Sequence, residues 1–343
     1  MSTRVLVVDD SILFPTKLQL GLAADSEITV VACAADPAGA MEVIDKQPID
    51  VMVLDVEMPG MSGIQFLKQL LPRYPIPAVV ISSLPGNALD ALTAGAVDFV
   101  CKPQAAKPNA QNEFIEELIE KVKIASVAKT RVQAAPKASL LSKLPTRSLE
   151  GNNLVVAIGA STGGTEAIIE VVKNLPESFP GIIIVQHMPA NFTTLYAQRL
   201  DRICQMKAKE AQDMDRVLPG QIIVAAGEFH LTLKKDAAGY YIRSQRGDKV
   251  SGHCPSVDVM FHSVAEAAGK NAVGVILTGM GADGAKGITK LRQSGGYTIG
   301  QDKESCVVYG MPMEAYKLGG IARQLSLDQI GAELIYYVRT HKK

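Results

Sequence analysis

The sequence has few cysteines, no excess of charge of either sign and no long apolar run. Its five cysteines are odd in number, dispersed and without a C-x-x-C pair, which argues against a disulfide framework and against a zinc site. The 35 basic residues balance 35 acidic ones, so no overall field would draw the chain to nucleic acid or anionic lipid. We therefore expect a protein or a small molecule as partner, and a reducing cytoplasm as compartment.

Signals for export or membrane insertion are also missing. The first residues, MSTRVLVVDD, become charged too soon for a signal peptide, and no apolar run approaches the length of a membrane span. What the sequence does have is 47% hydrophobic residues in 343 positions, enough for substantial cores and about two domains. We expect a soluble globular protein without direct membrane insertion.

Short Val/Ile-rich runs alternate with helical stretches, a pattern typical of doubly wound α/β domains. Residues 1–124 are predicted to form one such domain, with strands in RVLVVDD, ITVVACA, DVMVLDVEMPG, PAVVISS and DFVCKP. Residues 125–150, rich in Ala, Ser, Lys and Pro, are the predicted linker. Residues 151–343 are predicted to form a second, mostly parallel α/β domain, with strands in LVVAIGAS, GIIIVQHMP, QIIVAAG and AVGVILTGMG. It also contains a predicted β-hairpin, FHLTLKKDAAGYYIRSQ, closed near Asp236 and Gly239.

Charged and hydroxyl side chains follow the predicted strands of the first domain, where the strand ends of a parallel sheet line one crevice. They are Asp9, Asp10, Asp55, Ser83 and Lys102. Each alone has an ordinary interpretation as a cap, turn or loop residue. Three carboxylates in one crevice, however, repel unless a hard cation joins them, and Mg²⁺ with oxygen ligands is the obvious choice. Asp55 would then be a nucleophile towards phosphorus, with Lys102 and Ser83 contacting the phosphoryl oxygens.

The segments VVDD, VLDVEMPGMSG, ISS and GAVDFVCKP, in this order, resemble the receiver domain of two-component response regulators over the first third of the chain. The resemblance implies a flavodoxin-like fold, phosphorylation of Asp55 by a histidine kinase, and Mg²⁺ held by Asp9, Asp10, Asp55 and the backbone carbonyl of Glu57. It also implies a phospho-switch made of Ser83, Phe99 and Lys102. Pro15 departs from the pattern, because either the first helix starts near it or the first turn is distorted.

The segment LVVAIGASTGG carries one hydroxyl, Ser161, in a turn between a predicted buried strand and a helix. Such a turn offers free backbone N–H groups and a helix dipole, which suit either a phosphate or a developing oxyanion. Residues 159–163 fit the nucleophile-elbow pattern G-x-S-x-G and loosely resemble a dinucleotide-binding loop. The turn alone leaves a nucleophile, a nucleotide site and a plain tight turn open.

Two further strand ends favour the nucleophile. His187 ends the next strand and Asp283 follows another apolar strand, so both can converge on Ser161 in a parallel sheet. Hydrolysis by serine needs this hydroxyl, imidazole and carboxylate, although each partner also has an ordinary structural interpretation. A dinucleotide site is disfavoured, because it requires an acidic residue for the ribose at the end of this strand, where Gln186 and His187 stand. An ordinary α/β-hydrolase is disfavoured because the histidine comes second in the order.

The order Ser-His-Asp, with IGASTGGTEA, VQHMP, FTTLYAQRLD, HCPSVDVMF, ILTGMGADGAKG and VVYGMP, resembles the catalytic domain of bacterial chemotaxis protein-glutamate methylesterases. Together with the receiver, the resemblance covers essentially the entire chain. It implies cofactor-free hydrolysis of glutamyl methyl esters on chemoreceptor helices, with release of methanol, and deamidation of receptor glutamines. It also implies that Ser161 is the nucleophile, His187 the general base and Asp283 the orienting carboxylate, while Met280 gives a backbone N–H to the oxyanion.

Two segments depart from that family. Cys254 stands where a basic residue is expected after His253, and Met313 and Glu314 follow YGMP where smaller residues are usual, so substrate docking is expected to differ. The remaining histidines are expected to be structural or surface residues: His230, His253, His262 and His341.

The two domains together predict regulation. We expect the unphosphorylated receiver to cover the Ser161 crevice, and phosphorylation of Asp55 to loosen that contact by rearranging the region of Ser83 and Phe99. The alternative is a response regulator whose second domain only binds a partner, with a triad that does no chemistry. Balanced charge and the absence of a basic recognition helix argue against nucleic acid as that partner.

Overall fold

The structure is a computed structural model that describes residues 2–11, 13–103, 109–130 and 153–341. The chain divides into two compact units, Met1–Pro136 and Lys137–Lys343. Most of the predicted linker, residues 131–150, lies outside the described residues. The predicted domain boundaries therefore stay predictions, and each unit is considered by itself.

A five-stranded parallel sheet organises the first unit. Its strands are β1 (Thr3–Val8), β2 (Ile28–Ala34), β3 (Val51–Asp55), β4 (Ala78–Ser82) and β5 (Asp98–Cys101). The spatial order β2-β1-β3-β4-β5 is the flavodoxin-like order, which confirms the predicted fold. All residues of β3 and β4 are buried, as expected for strands covered by helices on both faces.

Four helices connect these strands, and a fifth follows β5. They are α1 (Phe14–Leu22), α2 (Pro37–Lys46), α3 (Gly63–Leu70), α4 (Pro85–Thr93) and α5 (Ala110–Ser126). Helix α1 begins at Phe14, so Pro15 lies in its first turn. A proline there sacrifices no intrahelical hydrogen bond, because the first N–H groups of a helix have no partner within it. Of the two possibilities for Pro15, the start of the helix near it is the one observed.

A seven-stranded parallel sheet forms the centre of the second unit. Its strands are β6 (Val155–Ala160), β7 (Ile182–Gln186), β8 (Lys207–Glu210), β9 (Gln221–Val224), β12 (Ala272–Ile276), β13 (Tyr297–Gln301) and β14 (Arg323–Leu325). The order is β14-β13-β12-β6-β7-β9-β8, so the chain winds outwards from β6 in both directions. This confirms the predicted doubly wound sheet. The ends of β6, β7 and β12 meet where the winding direction reverses, which is where such folds bind ligands.

Helices cover this sheet, and a hairpin completes the unit. The helices are α6 (Gly164–Val172), α7 (Ala190–Ile203), α8 (Val257–Ala267), α9 (Ala285–Gln293), α10 (Met311–Lys317) and α11 (Leu327–Thr340). The hairpin pairs β10 (Phe229–Asp236) with β11 (Gly239–Arg246), and it closes where predicted, at Asp236 opposite Gly239. Leu231, Leu233 and Ile242 of the hairpin are fully buried in the same core cluster as Phe261 of α8. The hairpin thereby fixes α8 relative to the sheet.

Three strands of the second sheet have no counterpart among the predicted ones. Strands β8 and β14 are the two edges, and neither contains a buried residue, so they show no apolar run. The interior strand β13, YTIGQ, mixes polar and apolar residues although four of its five positions are buried. A search for apolar runs therefore misses β8 and β14, because they are edge strands, and β13, because its composition is mixed. Among the described helices, none is both long and apolar enough to cross a membrane.

Candidate active site and candidate phosphorylation site

The turn after β6 holds Ser161 against the neighbouring strand end. Ser161 donates its N–H to the carbonyl of Thr278 at 3.0 Å, and Gly164 donates its N–H to the carbonyl of Ser161 at 2.7 Å. Gly163 has a φ of 74°, a left-handed conformation that glycine adopts without strain. A Cβ on Gly279 would lie 2.8 Å from the Ser161 Cβ, so only glycine allows the loop after β12 to approach this closely. The half-buried Ser161 side chain therefore has a tightly determined backbone.

His187 lies next to Ser161 because of strand register. Ala160 pairs with Gln186 across β6 and β7, and the next residues along the two strands are Ser161 and His187. The buried Gln186 amide donates from Nε2 to the carbonyls of both Ser161, at 2.9 Å, and His187, at 3.1 Å. One side chain thus ties the two segments together. In the sequence, Gln186 mattered only as evidence against a nucleotide site.

The imidazole of His187 contacts Asp283. Its Nε2 lies 2.9 Å from Oδ2 of Asp283, and because an ionised carboxylate only accepts hydrogen bonds, Nε2 carries the proton. In the neutral ring the proton-accepting nitrogen is therefore Nδ1, which is buried and has no hydrogen-bond partner among the residues that the structure describes. The described residues show no hydrogen bond between Ser161 Oγ and this nitrogen. Catalytic hydrogen bonds of this kind often tighten only when substrate is bound.

Asp283 is only 2% exposed and is held by the start of helix α8. Besides His187, it accepts from Ser256 Oγ at 2.7 Å, Val257 N–H at 2.8 Å and Asp258 N–H at 3.0 Å. Burial works against its ionisation, but the hydrogen bonds from His187, Asp258 and Ser256 outweigh burial and hold the pKa of Asp283 below its usual range. The helix N-terminus favours the anion further. This carboxylate is therefore built to stay charged.

The structure adds one residue that the sequence analysis left without a role in the site, His253. Its ring stacks on the His187 ring, with centroids 3.7 Å apart and planes 7° apart. One ring nitrogen of His187, one ring nitrogen of His253 and one carboxylate oxygen of Asp283 all lie within 4.8 Å of one another. The only sequence signal was its position in HCPSVDVMF, a segment quoted for resemblance alone.

Met280 follows Gly279, the residue in close contact with Ser161. Its side chain is 46% exposed, and in the described part of the chain its N–H makes no hydrogen bond. This leaves the N–H available, but the assignment of Met280 to the oxyanion stays a prediction.

Carboxylates at the ends of β1 and β3 form an acidic pocket in the first unit. Asp9 and Asp55 are each 1% exposed, Asp10 is exposed, and oxygens of all three lie within 4.8 Å of one another. Lys102 Nζ lies 2.5 Å from Asp55 Oδ2 and 3.3 Å from Asp9 Oδ2. Burial raises the pKa of Asp55 to about 6, with Lys102 opposing the rise and Asp9 adding to it. One lysine leaves an excess of hard, negatively charged oxygen donors, which fits Mg²⁺.

Glu57 links the acidic pocket to the end of β4. Its N–H donates to Asp55 Oδ1 at 3.1 Å, and its carboxylate accepts from Ser82 Oγ at 2.5 Å and from Ser83 N–H at 2.9 Å. The Ser82 side chain is buried, whereas Ser83 is exposed. Ser82, the first of two adjacent serines, is not among the predicted site residues. The hydrogen bond from Ser83 to a phosphoryl oxygen stays a prediction. The structure adds the Ser82 hydroxyl as a second candidate for that hydrogen bond.

The aromatic residue of the predicted switch is buried. Phe99 on β5 is 3% exposed, and Lys121 Nζ lies 5.0 Å from the centre of its ring. The same ammonium lies 2.7 Å from Asp98 Oδ1, which fixes it over the ring. A cation over the ring face favours this buried position of Phe99. Its part in a phospho-switch stays a prediction.

Comparisons with known proteins identify the family of both units. Residues 156–334 match the family described as CheB methylesterase, and residues 5–121 match the response regulator receiver domain. The chain is 51% identical over 332 residues to a protein-glutamate methylesterase/protein-glutamine glutaminase 2 of Syntrophomonas wolfei, a match that covers 96% of each chain. It is 45% identical over 336 residues to the protein-glutamate methylesterase/protein-glutamine glutaminase of Salmonella typhimurium, covering 97% of this chain and 96% of that one.

A solved structure is also similar to the second unit. The crystal structure of the Thermotoga maritima CheB methylesterase catalytic domain is 40% identical and superposes with a TM-score of 0.52. The match covers 54% of this chain and 98% of that domain.

Proposed function

Because the chain belongs to the CheB methylesterase family, with a receiver domain ahead of the catalytic domain, we propose that Ser161, His187 and Asp283 hydrolyse glutamyl methyl esters on chemoreceptors. The protein is a protein-glutamate methylesterase and protein-glutamine glutaminase, and phosphorylation regulates it. The observation that carries the residue assignment is the orientation of His187, whose Nε2 is bound to a buried carboxylate while the buried Nδ1 is left to accept a proton.

The reaction follows from this arrangement. Ser161 Oγ attacks the ester carbonyl while its proton passes to His187 Nδ1, and Asp283 stabilises the resulting imidazolium. The tetrahedral oxyanion accepts hydrogen bonds from backbone N–H groups, with Met280 as one donor. His187 then returns the proton to the methoxy oxygen, the C–O bond breaks and methanol leaves. Water repeats the sequence on the acyl-enzyme and releases glutamate; with a glutamine substrate, ammonia leaves instead.

Control of this reaction belongs to the first unit. A histidine kinase supplies the phosphoryl group, and an Asp55 oxygen attacks its phosphorus as the P–N bond to the kinase breaks. Asp9, Asp10, Asp55 and the backbone carbonyl of Glu57 would hold Mg²⁺, which when bound neutralises charge on the phosphoryl oxygens. Lys102 contributes a further positive charge. Because the substrate groups lie on cytoplasmic receptor helices, the compartment is the cytoplasm, and the substrate and the kinase are both protein partners.

Inhibition by the receiver is the proposed form of regulation. Without phosphate, the receiver restricts access to Ser161, and phosphorylation of Asp55 relieves the restriction through the Ser83 and Phe99 region. The hydrogen bonds from Ser82 and Ser83 to Glu57 support a route for this change within the first unit, since they link the acidic pocket to the end of β4.

Serine-directed labelling tests the catalytic assignment. A fluorophosphonate should modify Ser161 in the full chain, and both labelling and methanol release from methylated receptor should be lost in Ser161→Ala and His187→Ala. His262→Ala is the matched control, because His262 lies exposed on α8 and has no place in the site. Labelling of wild type on another serine, or methanol release by Ser161→Ala, would contradict the proposal and leave the second domain as a binding module or a different hydrolase.

A further inference from the structure

We propose that His253 is a positioning residue for the catalytic base, holding the ring plane of His187 so that Nε2 remains on Asp283 and Nδ1 remains the proton-accepting nitrogen. The inference rests on the proposed function, since it takes His187 as the base. Its starting observation is the stack of the two imidazoles, 3.7 Å between centroids and 7° between planes.

The His187 ring needs such a restraint. The bond from Cβ to an imidazole ring rotates in a broad, shallow potential, so a single hydrogen bond to Asp283 does not fix the ring plane. The direction in which Nδ1 presents its lone pair depends on that plane. A flat surface against one face of the ring removes most of this freedom, and it also keeps water from that face. A misplacement of about 1 Å at a catalytic group can cost about a hundredfold in rate.

His253 is itself held firmly enough to serve as that surface. Its Nδ1 lies 2.9 Å from the Ser251 carbonyl, and because a carbonyl only accepts, Nδ1 carries the proton. The main chains of Val250 and His253 exchange two hydrogen bonds of 3.0 Å, around a turn in which Ser251 and Gly252 have φ values of 52° and 85°. Positive φ at both central residues is the conformation of a tight hairpin turn. The ring is therefore fixed by its own backbone and its own side-chain hydrogen bond.

A second histidine secures the segment around this turn. His230 on β10 donates from Nε2 to the Asp248 carbonyl at 2.8 Å and accepts at Nδ1 from the Ser256 N–H at 3.2 Å. Ser256 in turn donates from Oγ to Asp283. The two ends of the segment that carries His253 are thus joined to the buried hairpin and to the carboxylate that His187 contacts. His253, His187 and Asp283 are therefore held by one connected set of contacts.

A shared metal ion does not explain the stack. The lone pairs of imidazole nitrogens lie in the ring plane, and two rings only 7° from parallel, with centroids 3.7 Å apart, hold their lone pairs in two separate, nearly parallel planes. Both nitrogens cannot then converge on one tetrahedral ion unless a ring turns out of the stack. A role in docking the receptor is the remaining alternative, because His253 is only half-buried. Kinetics can separate docking from positioning.

The experiment uses the full chain with His253→Ala, His253→Phe and the control His262→Ala. The rate of fluorophosphonate labelling of Ser161 reports activation of the nucleophile without receptor, while kcat and KM are measured with methylated receptor. We expect His253→Ala to label about tenfold to a hundredfold more slowly, with kcat reduced to match and KM unchanged. His253→Phe keeps a flat ring and should restore labelling to within about threefold of wild type, and His262→Ala should match wild type.

Three outcomes would overturn the inference. Wild-type labelling in His253→Ala together with a raised KM would make His253 a docking residue. Equal losses in the Ala and Phe variants, both folded by circular dichroism, would show that the flat ring is not what matters. If the wild-type protein itself is not labelled at Ser161, the proposed function is wrong and this inference fails with it. That outcome is distinguishable, because it is seen before any variant is compared.

Discussion

The two sites use the same construction for opposite purposes. Each has a buried carboxylate that faces one nitrogen-bearing side chain: Asp55, the last residue of β3, faces Lys102, and Asp283, in the loop after β12, faces His187. Burial raises the pKa of Asp55 to about 6, whereas hydrogen bonds overcome burial and lower the pKa of Asp283. The difference lies in what else each carboxylate meets. A buried carboxylate, Asp9, lies near Asp55, while Asp283 meets a hydroxyl and two N–H groups of a helix N-terminus.

The contrast shows how surroundings select a role. A carboxylate with few hydrogen-bond donors among other carboxylates is costly until a cation joins it, and its oxygens keep lone pairs that can attack phosphorus. A carboxylate with every lone pair occupied has nothing left for nucleophilic chemistry, so it can only orient and stabilise its partner. Asp55 has the first environment and Asp283 the second. Four predictions test this comparison, in order of decreasing expected effect.

Asp283→Asn should reduce kcat for methanol release by about 10³-fold to 10⁴-fold, because the neutral amide no longer stabilises the imidazolium and can favour the wrong histidine tautomer. Labelling of Ser161 by fluorophosphonate should slow in parallel. The control is Asp302→Asn, which removes a carboxylate just after β13 that accepts from Ser305 and lies outside the site. Unchanged kcat in Asp283→Asn would remove Asp283 from the catalytic set.

Asp55→Asn should abolish phosphorylation by small phosphodonors, because an amide neither attacks phosphorus nor shares Mg²⁺ as an anion. Asp10→Asn should weaken metal binding. Phosphorylation is measured as Mg²⁺-dependent incorporation of label, and activation as the ratio of methanol release with and without phosphodonor. Labelling of Ser161 in the unphosphorylated variant should match that of unphosphorylated wild type. Persistent Mg²⁺-dependent phosphorylation of Asp55→Asn would identify a different carboxylate as the acceptor.

Removal of the first unit and linker should raise activity severalfold to about a hundredfold over the unphosphorylated full chain, since each ~1.4 kcal/mol of inhibitory contact corresponds to tenfold in population. The fragment 151–343 is long enough to bury its own core, and circular dichroism checks that it is folded. Ester hydrolysis is compared for the fragment, the full chain, and the full chain with phosphodonor and Mg²⁺. A folded fragment no faster than the untreated chain refutes inhibition by the receiver. A phosphorylated chain faster than the fragment would add a positive contribution of the receiver.

The pH dependence of stability provides the smallest effect. The pKa of Asp283 is lower in the folded protein than in the unfolded chain, so this carboxylate contributes stability above its unfolded pKa, near 3.8, and loses it as the pH falls through the folded value. Urea unfolding of fragment 151–343 should therefore show a loss of stability below about pH 4 that is smaller in Asp283→Asn. Identical acid profiles for the two proteins would mean that Asp283 is not stabilised as an anion.

The sequence alone was enough to identify the strands that are followed by candidate catalytic or phosphorylation-site residues. Asp9, Asp55, Ser161 and His187 each follow an apolar run, and a buried parallel strand is recognisable because both of its faces are apolar. The strand end at Gln186 and His187 argued against a dinucleotide site, and the order Ser-His-Asp argued against an ordinary α/β-hydrolase. The motifs pointed to the family that the comparisons confirm. Apart from the order of the triad, these are properties of a few consecutive residues, which is the range over which composition and periodicity are informative.

The contacts and orientations of these side chains, in contrast, depend on the folded structure. The ring nitrogen of His187 that meets Asp283, the Gln186 amide that bridges two carbonyls, and the α8 N-terminus that holds Asp283 all depend on strand register and helix packing. The stack of His253 on His187 joins residues that are distant in the sequence. No local pattern specifies such contacts, because the position of each group is set by the packing of a hairpin, a sheet and a helix together. The physical reason is that apolar periodicity fixes which face of an element is buried, while the orientation of a polar side chain depends on the partners that the assembled fold brings to it.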